Sequence, residues 1–345
     1  MRPKAPSAIL ALLLAFTGLC RAQSDTLNLY SARHYQTDEA LYADFTRATG
    51  IRISRIDADD AGILARLRTE GAASPADVIL LVDAARLWRG EIDGLFQPVK
   101  SKVLETRIPS SLRGKDDGQG AHWYGFSTRA RLVVYNKNRA KLEDVDSYRK
   151  LGDPVNKGKV CTRSGSHPYN LSLFGAMVEH LGPQKAESWL AGMVSNMARQ
   201  PKGGDTDQIL AVASGECGVA LVNSYYVARL LRSTKPEDKA AMDKVGIVMP
   251  DQADFGTHLN IAGAGVARHS KNREAAVKFL EYLAGESAQA YFADGNNEWP
   301  AVASVKVSNP ALQVLGDFKR DTVPVSVVGL NQIKVQQMLD RVGYK

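Results

Sequence analysis

Apolar and polar positions alternate with two different periods along the first third of the chain. Residues 26–30 alternate singly, which indicates a strand with one buried face. Apolar residues then recur at helical spacing over residues 37–49, and Gly50 ends this predicted helix. The pattern continues with a strand, a helix, a fully apolar strand and a helix, predicted at residues 51–56, 64–70, 76–82 and 84–94. Strands that alternate with helices predict an α/β fold with a parallel sheet.

Two longer apolar strands, at residues 125–135 and 257–267, interrupt this alternation. Each is long enough to cross from one lobe of a protein to another, so we interpret both as hinge strands. Further strands and helices are predicted at residues 158–163, 171–181, 205–214, 218–222, 273–284 and 287–294, with a last helix that ends near residue 341. Two crossings imply two lobes, because the chain that leaves the first lobe must also return to it.

The crossings divide the mature chain into two discontinuous lobes. We expect residues 23–128 and 257–300 to form an N-terminal lobe. Residues 129–256 and 301–345 are expected to form a C-terminal lobe. A chain of this length usually folds as two domains, which agrees with the division.

The N-terminus has the pattern of a secretory signal peptide, with basic residues within 1–4, an apolar stretch at 8–16 and a small-x-small cleavage site at 20–22. The apolar stretch is too short to span a membrane, and no later stretch approaches about eighteen uninterrupted apolar residues. We therefore expect cleavage, a periplasmic location and no membrane span in the mature chain. A lipoprotein anchored at Cys20 is the weaker alternative, because Leu19 stands where a small residue is expected.

The charge pattern argues against some kinds of partner. The formal net charge of +7 falls to +4 without the signal peptide, because 41 basic and 37 acidic residues remain. These charges are interleaved, without a basic run that could follow a phosphate backbone. We therefore expect no nucleic-acid partner, and we expect the mature protein to be a monomer.

Two cysteines, Cys161 and Cys217, remain after cleavage and enter an oxidising compartment. One disulfide and two buried free thiols are both compatible with this count. We favour the disulfide, because the two residues belong to candidate neighbouring strands of the second lobe.

Four tyrosines share one property: each follows the carboxyl end of a predicted strand, where open α/β sheets place their ligands. They are Tyr35, Tyr169, Tyr225 and Tyr226. An N-cap at Asn223 or Ser224 would place the last two in the first turn of a helix, where the dipole favours negative charge. Tyrosines inside predicted strands and helices are instead interpreted as packing residues. We call these segments after the strands corners, and the four corner tyrosines are therefore candidates for binding a ligand.

Ionised phenols would restrict the identity of a ligand. Holding one phenol as phenolate near neutral pH costs about 4 kcal/mol, from roughly three pH units at about 1.36 kcal/mol each. A divalent hard ion would find carboxylates at lower cost, whereas a trivalent hard ion can offset several such deprotonations. Ferric iron is the candidate that these corners favour, and His34 adds an imidazole to the first corner.

Six stretches of the chain carry a family resemblance: YSARHYQTDEALYADFTRATG (30–50), SPADVILLVDAARLWR (74–89), GFSTRARLVVYNK (125–137), KGKVCTRSGSHPYNLSL (157–173), GECGVALVNSYYVARLL (215–231) and GTHLNIAGAGVARHSKNREAAVKFLEYL (256–283). They resemble the periplasmic ferric-ion-binding proteins of ABC importers. The resemblance covers nearly all of the mature chain. It implies a two-lobed type II periplasmic-binding-protein fold (Venus flytrap), with Fe³⁺ as the transported ligand and an inner-membrane ABC iron permease as the partner.

The resemblance also implies a set of iron ligands, which are drawn in that family from a His-Tyr corner, a single tyrosine and a Tyr-Tyr pair. In this sequence they are His34, Tyr35, Tyr169, Tyr225 and Tyr226. Some relatives use a carboxylate and an exogenous anion instead of the extra tyrosines. This sequence resembles the tyrosine-rich branch, so a synergistic anion such as carbonate is optional. His34 could equally hydrogen-bond a bound water or stay outside the site.

Cations are expected around the ligands, because four phenolates and one Fe³⁺ sum to a net charge of −1. Arg229 follows the tyrosine pair by three and four residues and lies on the same helical face. Arg129, in the first crossing strand, resembles a family arginine near the metal. For both, a role in covering apolar surface is an equal alternative. Arg33 and Arg163 are weaker candidates.

Other functions remain open from the residues alone. The same architecture suits a periplasmic binding protein for an oxyanion, a polyamine or another small solute, because fold does not assign a ligand. An enzyme that uses Ser164, Ser166 and His167 is a third possibility, but no G-x-S-x-G elbow is present. We therefore expect no enzymatic activity.

Overall fold

The computed structural model of the protein describes residues 26–33 and 35–345. Its strands are β1 Thr26–Ser31, β2 Arg52–Asp57, β3 Val78–Leu81, β4 Phe96–Gln97, β5 Tyr124–Asn136, β6 Val160–Cys161, β7 Val219–Asn223, β8 Val245–Val248, β9 Leu259–Ala267 and β10 Trp299–Pro300. Its α-helices are α1 Asp38–Thr49, α2 Asp60–Glu70, α3 Ala84–Ile92, α4 Lys102–Arg107, α5 Pro168–Leu181, α6 Pro183–Ser195, α7 Asp205–Ser214, α8 Ser224–Leu231, α9 Pro236–Asp243, α10 Arg273–Leu283, α11 Glu286–Asp294, α12 Pro310–Leu315 and α13 Val325–Val342. The predicted α/β class is confirmed.

The strands form a mixed sheet in the order β2-β1-β3-β9-β5-β7-β6. β1 pairs in parallel with β2 and β3, and β6 pairs in parallel with β7. β5 and β9 pair antiparallel at the centre, where β4, β8 and β10 add short pairings. Parallel segments on either side of an antiparallel centre are what two α/β units joined by crossing strands produce.

Strand β5 crosses from one part of the sheet to the other. Its residues 124–130 pair with β9, and its residues 131–136 pair with β7 and β8. All but one of its thirteen residues are buried. This confirms the prediction of a long crossing strand, while the exact lobe boundaries at residues 128, 256 and 300 stay a prediction.

Apolar clusters lie on both faces of the sheet beyond the crossing. On β7, Val219 and Leu221 belong to one cluster, whereas Ala220 and Val222 belong to another. Alternate residues of a strand point to opposite faces, so a fully apolar strand can supply two cores. A third cluster unites β1, β3 and the far part of β9 with helices α1, α2 and α10.

Two helices begin earlier than the sequence pattern predicted. Helix α2 begins at Asp60 instead of residue 64, because the Asp59 side chain accepts a hydrogen bond from the Gly62 N–H at 2.7 Å and caps the helix. Helix α5 begins at Pro168 instead of residue 171, since proline is compatible with the first helical position. The strand predicted at 158–163 is shorter, and only β6 remains of it.

The predicted disulfide between Cys161 and Cys217 is confirmed. The two sulfur atoms are bonded, and the Cα atoms are 5.9 Å apart. Cys161 ends β6, and Cys217 lies two residues before β7, which is the parallel neighbour of β6. The bond joins residues that are 56 positions apart, and it ties the end of β6 to the segment just before β7.

The predicted signal peptide, including Cys20, lies outside the described residues. Within residues 26–33 and 35–345, no helix combines the length and the apolar character that a membrane crossing requires. His34, predicted as a ligand, also lies outside the described part of the chain, so its role stays a prediction.

Candidate metal centre

The four corner tyrosines lie together although up to 191 residues separate them, from position 35 to position 226. The hydroxyl oxygens of Tyr169 and Tyr225 are 3.1 Å apart. The ring of Tyr35 lies edge-on to that of Tyr225, with 5.9 Å between the centroids. The rings of Tyr225 and Tyr226 are adjacent, with 4.2 Å between the centroids. Tyr225 is therefore the centre of a cluster of four phenols.

The start of helix α8 positions the tyrosine pair. Asn223 is the N-cap residue, so both tyrosines lie in the first turn, as the sequence predicted. The Asn223 side chain does not cap the helix, because its oxygen accepts a hydrogen bond from Arg131 at 3.1 Å. The first-turn N–H groups of α8 therefore keep the positive end of the helix dipole beside the phenols.

Tyr169 also lies in a first helical turn, that of α5, rather than in the corner before it. The N-cap residue is His167, whose Nδ1 accepts a hydrogen bond from the Tyr169 N–H at 3.2 Å. Burial and the nearby Arg163 lower the pKa of His167 to about 3, so its imidazole is neutral and can accept this bond. The histidine weighed as a catalytic base is thus a helix cap.

Tyr35 lies in the irregular segment between β1 and α1, which buried charges hold in place. The guanidinium of Arg33 pairs with Asp38 and with Glu298, each at 2.9 Å. All three charged side chains are nearly inaccessible to solvent. The Tyr35 hydroxyl donates a hydrogen bond to Glu298 at 3.4 Å, and Arg33 lies 4.9 Å from the Tyr35 ring centroid. Ion pairs, rather than a helix cap, position this phenol.

Arg129 lies behind the cluster and is 1% exposed. Its guanidinium carbon is 5.5 Å from the ring centroid of Tyr169, and Nη1 is 3.9 Å from the Glu298 carboxylate. None of its three side-chain nitrogens finds a hydrogen-bond acceptor within the described part of the chain. A buried guanidinium without acceptors is costly, so this cation has donors available for anionic groups at the cluster.

Three other arginines contact the rings of site tyrosines. Arg229 is exposed, lies 5.0 Å from the ring centroid of Tyr226 and donates a hydrogen bond to Thr206 at 2.8 Å. Arg163 lies 5.0 Å from the ring centroid of Tyr169. Arg33, described above, is the third. The two arginines ranked as weaker from the sequence therefore stand as near to the phenols as Arg229 does.

Sequence reasoning missed Glu298, which belongs to no recognised motif and follows the predicted helix at 287–294. Its carboxylate accepts hydrogen bonds from Ser127 at 2.5 Å and from Arg33 at 2.9 Å. The only sequence feature that could have drawn attention to it is an acidic residue next to Trp299 and Pro300, in a stretch that is otherwise uncharged.

The phenols of the cluster resist ionisation. Burial raises the pKa of Tyr225 well above its usual range, and the neighbouring phenols add to this effect while Arg129 opposes it. Burial and the charge of Glu298 raise the pKa of Tyr35 in the same way. Burial raises the pKa of Tyr169 to about 12, although Arg129 lowers it. Only a strongly charged cation can displace these protons near neutral pH.

Phenol oxygens are the donors that this centre offers to a metal. Within residues 26–33 and 35–345, no three His, Cys, Asp or Glu side chains form a group that could hold a metal ion. Phenolate oxygen is a hard anionic donor, so the cluster suits a hard and highly charged ion better than a soft one.

Residues 40–314 match the protein family described as bacterial extracellular solute-binding protein. Iron uptake protein A1 of Synechocystis sp. (strain ATCC 27184 / PCC 6803 / Kazusa) is 45% identical over 323 residues, which are 94% of this chain and 88% of that relative. The similarity therefore extends over nearly the whole length of both proteins.

Solved structures share the fold as well. A Trichodesmium protein, IdiA or FutA, in complex with iron and citrate is 46% identical with a TM-score of 0.86, and the match covers 93% of this chain and 100% of that one. The ferric binding protein from Campylobacter jejuni is 36% identical with a TM-score of 0.86, and the match covers 92% and 100%.

Proposed function

Because this chain belongs to the family of bacterial extracellular solute-binding proteins, we propose that it captures ferric iron and delivers it to an ABC importer. It has the type II periplasmic-binding-protein fold. Of the similar proteins described above, one is named for iron uptake and one for ferric binding, and the Trichodesmium protein is in complex with iron and citrate. The observation that carries the proposal is the convergence of four phenols around Tyr225.

Tyr35, Tyr169, Tyr225 and Tyr226 are the proposed phenolate ligands of Fe³⁺, with His34 as a fifth ligand. Iron displaces the phenol protons, and the resulting phenolates bind the trivalent ion strongly. Arg129 offsets the excess negative charge from behind the cluster, because its donors have no other acceptor within the described residues. Arg229 does the same for Tyr226 from the solvent side.

The proposed ligands come from two lobes. Tyr35 belongs to the N-terminal lobe (residues 23–128 and 257–300), whereas the other three tyrosines belong to the C-terminal lobe (residues 129–256 and 301–345). The coordination shell is complete only when the lobes are closed, so iron favours closure by its greater affinity for the closed state. The permease then recognises the loaded protein by its closed form.

An exogenous anion is optional in this proposal. The Trichodesmium relative holds citrate together with iron, and the buried donors of Arg129 could bind a carboxylate or carbonate oxygen. The proposed protein ligands could hold the ion without it. An anion, where one is present, would add to the tyrosines rather than replace one of them.

The protein acts as a monomer in the periplasm and docks on an inner-membrane ABC iron permease. Export uses a signal peptide, residues 1–22, that is cleaved after Ala22, in preference to lipidation at Cys20. The disulfide between Cys161 and Cys217 agrees with an oxidising compartment.

An absorption spectrum of the purified protein with and without ferric ion tests the proposal. Phenolates bound to Fe³⁺ give a visible charge-transfer band, so a coloured complex that saturates at one iron per protein is expected. Phosphate and spermidine serve as controls, because a binder of oxyanions or polyamines would be stabilised against heat by one of them. Stabilisation by either, without colour on adding iron, would reject the ferric assignment.

A further inference from the structure

The crossing strands β5 and β9 have a second face, which points away from the tyrosines. Arg129 and its partner Asn260 lie on the tyrosine side of the pair. Thr128 and its partner Ile261 therefore lie on the opposite side, because successive residues of a strand alternate between faces. Trp299 on β10 pairs with Thr128 from the other edge. These three side chains form one row across the sheet.

This row lines a cavity of about 1330 Å³, which we name the hinge-back pocket. Its walls come from residues 109–115 on one side and residues 301–326 on the other, so it lies between the two parts of the chain that the crossing strands join. The volume exceeds the roughly 300–1,000 Å³ that is common for small-molecule sites. The pocket is therefore large enough for an organic molecule.

Three of the four tryptophans in the sequence, Trp88, Trp123 and Trp299, line the hinge-back pocket. Phe318 adds a fourth aromatic ring, which lies edge-on to Trp299 with 5.2 Å between the centroids. Aromatic walls bind flat rings by stacking and by edge-to-face contact. The concentration of indoles favours a planar aromatic ligand.

Two polar atoms of the pocket lining have no hydrogen-bond partner among residues 26–33 and 35–345. Trp123 is 2% exposed and Thr128 is 1% exposed. The Trp123 Nε1 and the Thr128 Oγ1 find no hydrogen-bond partner within the described part of the chain. Buried polar atoms normally have a hydrogen-bond partner, so these two atoms indicate that a ligand supplies one. The indole nitrogen can only donate, so the ligand must offer an acceptor.

The charged residues of the pocket lining favour neither an anionic nor a cationic ligand. The pocket is lined by three basic residues, Arg113, Lys115 and Arg320, and by three acidic ones, Glu91, Asp317 and Asp321.

We propose that the hinge-back pocket is a second ligand site, which binds an uncharged planar aromatic molecule that carries a hydrogen-bond acceptor. This site is separate from the tyrosine cluster and does not depend on the assignment of iron.

The solvent-sensitive dye PRODAN, an uncharged naphthalene with one ketone oxygen, is a suitable probe. It is titrated into the iron-free mature protein, and tryptophan emission is used to excite the bound dye. We expect one saturable site with sensitised dye emission, because three indoles line the pocket. Absence of saturable binding, or of sensitised emission, would overturn the proposal.

Two substitutions remove the unpartnered atoms: Thr128→Val keeps the shape of its side chain, and Trp123→Phe keeps an aromatic ring. Trp123→Phe and Thr128→Val should each weaken dye binding by about threefold to tenfold, the usual range for one hydrogen bond. Trp189→Phe is the matched control, since this fourth indole lies elsewhere and donates to the Tyr148 carbonyl at 2.8 Å. Unchanged affinity in both pocket variants would contradict the proposal.

A rim substitution covers the case in which the buried variants do not fold. Ala303 is exposed and lines the pocket, so Ala303→Phe should fill part of it without disturbing the core. We expect dye binding to fall by at least about tenfold, with an unchanged circular dichroism spectrum. Binding that matches the wild type would place the dye outside the hinge-back pocket and reject the assignment.

Discussion

The two halves of the tyrosine cluster are built in different ways. Tyr169 and the pair at residues 225–226 lie in the first turns of α5 and α8, where the backbone of a regular helix sets their direction. Tyr35 lies in an irregular segment, and Arg33 with Glu298 holds it there. One half depends on helix starts, and the other depends on buried ion pairs.

The two halves of the cluster therefore contribute differently to iron affinity and to closure of the lobes. The helical half contributes three phenols from segments that share one part of the sheet, so it can form before iron arrives. The Tyr35 half adds one phenol and links it to Glu298, which also contacts Ser127 on the crossing strand β5. We infer that the first half supplies most of the binding energy and that the second half couples binding to the hinge.

The largest expected effect is that of pH on iron affinity. Burial raises the pKa of Tyr35 and Tyr225 well above the usual range and that of Tyr169 to about 12, so all three are protonated near neutral pH. Iron binding releases these protons, and affinity therefore falls as pH falls. Because the proposed site has four phenolate ligands, we expect a loss of about ten-thousandfold per pH unit, about tenfold for each phenol.

Competition titrations against citrate between pH 6 and about 8 measure this slope. Tyr35→Phe and Tyr225→Phe should each reduce it by one proton, because each removes one ionisable phenol. A slope that is close to zero in the wild type would show that the phenols are not displaced as ligands.

The next prediction concerns the free energy of unfolding and involves only the Tyr35 half of the cluster. Arg33→Met leaves Asp38 buried without its cation and Glu298 with only the more distant Arg129, which should lower the free energy of unfolding by about 3–5 kcal/mol. Arg229→Met is the matched control, since Arg229 is exposed over Tyr226 and should contribute less than about 1 kcal/mol. Urea unfolding of the iron-free proteins compares them, and equal losses would contradict the distinction between the halves.

Removing a phenol from the helical half should weaken iron binding by at least about 100-fold, because loss of an outer contact alone commonly costs about 10–100-fold. Tyr225→Phe and Tyr226→Phe keep the ring and remove one anionic ligand each, so the visible band should also shift. Tyr282→Phe is the control, since its hydroxyl only donates to the Leu41 carbonyl at 3.1 Å. Unchanged colour and affinity in both site variants would reject the ligand assignment.

The smallest expected change in affinity is that of Tyr35→Phe, but it should alter closure most. Iron would still bind the three phenols of the helical half, with a smaller loss of affinity than in Tyr225→Phe or Tyr226→Phe, while the link to Glu298 is lost. Small-angle scattering with saturating ferric ion should show a decrease in the radius of gyration for the wild type and a smaller one for the variant. The iron-free proteins should scatter alike. If iron leaves the wild-type radius unchanged, the lobes do not close on the metal.

Local patterns in the sequence were sufficient for the elements that carry the site. The period of apolar residues predicted strand β5 within one residue at each end, and the polar corner before α8 predicted that Tyr225 and Tyr226 share a first turn. These features depend on neighbours within a few positions of the chain. The sequence likewise identified phenols as candidate ligands, because each of the predicted corners contains tyrosine.

Tertiary structure alone decided how the charges are paired. Arg33 and Glu298 are 265 residues apart, and no local period connects them. Arg129 on β5 likewise is buried near Tyr169 of α5, which lies 40 positions later in the chain. The sequence ranked Arg33 below Arg229, because spacing along a helix is visible in a sequence whereas a contact across the fold is not.

The hinge-back pocket also came only from the tertiary structure. Trp88, Trp123 and Trp299 lie in three different elements or loops, and each one read alone is an ordinary packing residue. Antiparallel pairing of β5 with β9 and β10 puts Thr128, Ile261 and Trp299 in one row. A strand pattern determines which residues share a face, but only the pairing of strands decides which faces meet to enclose a cavity.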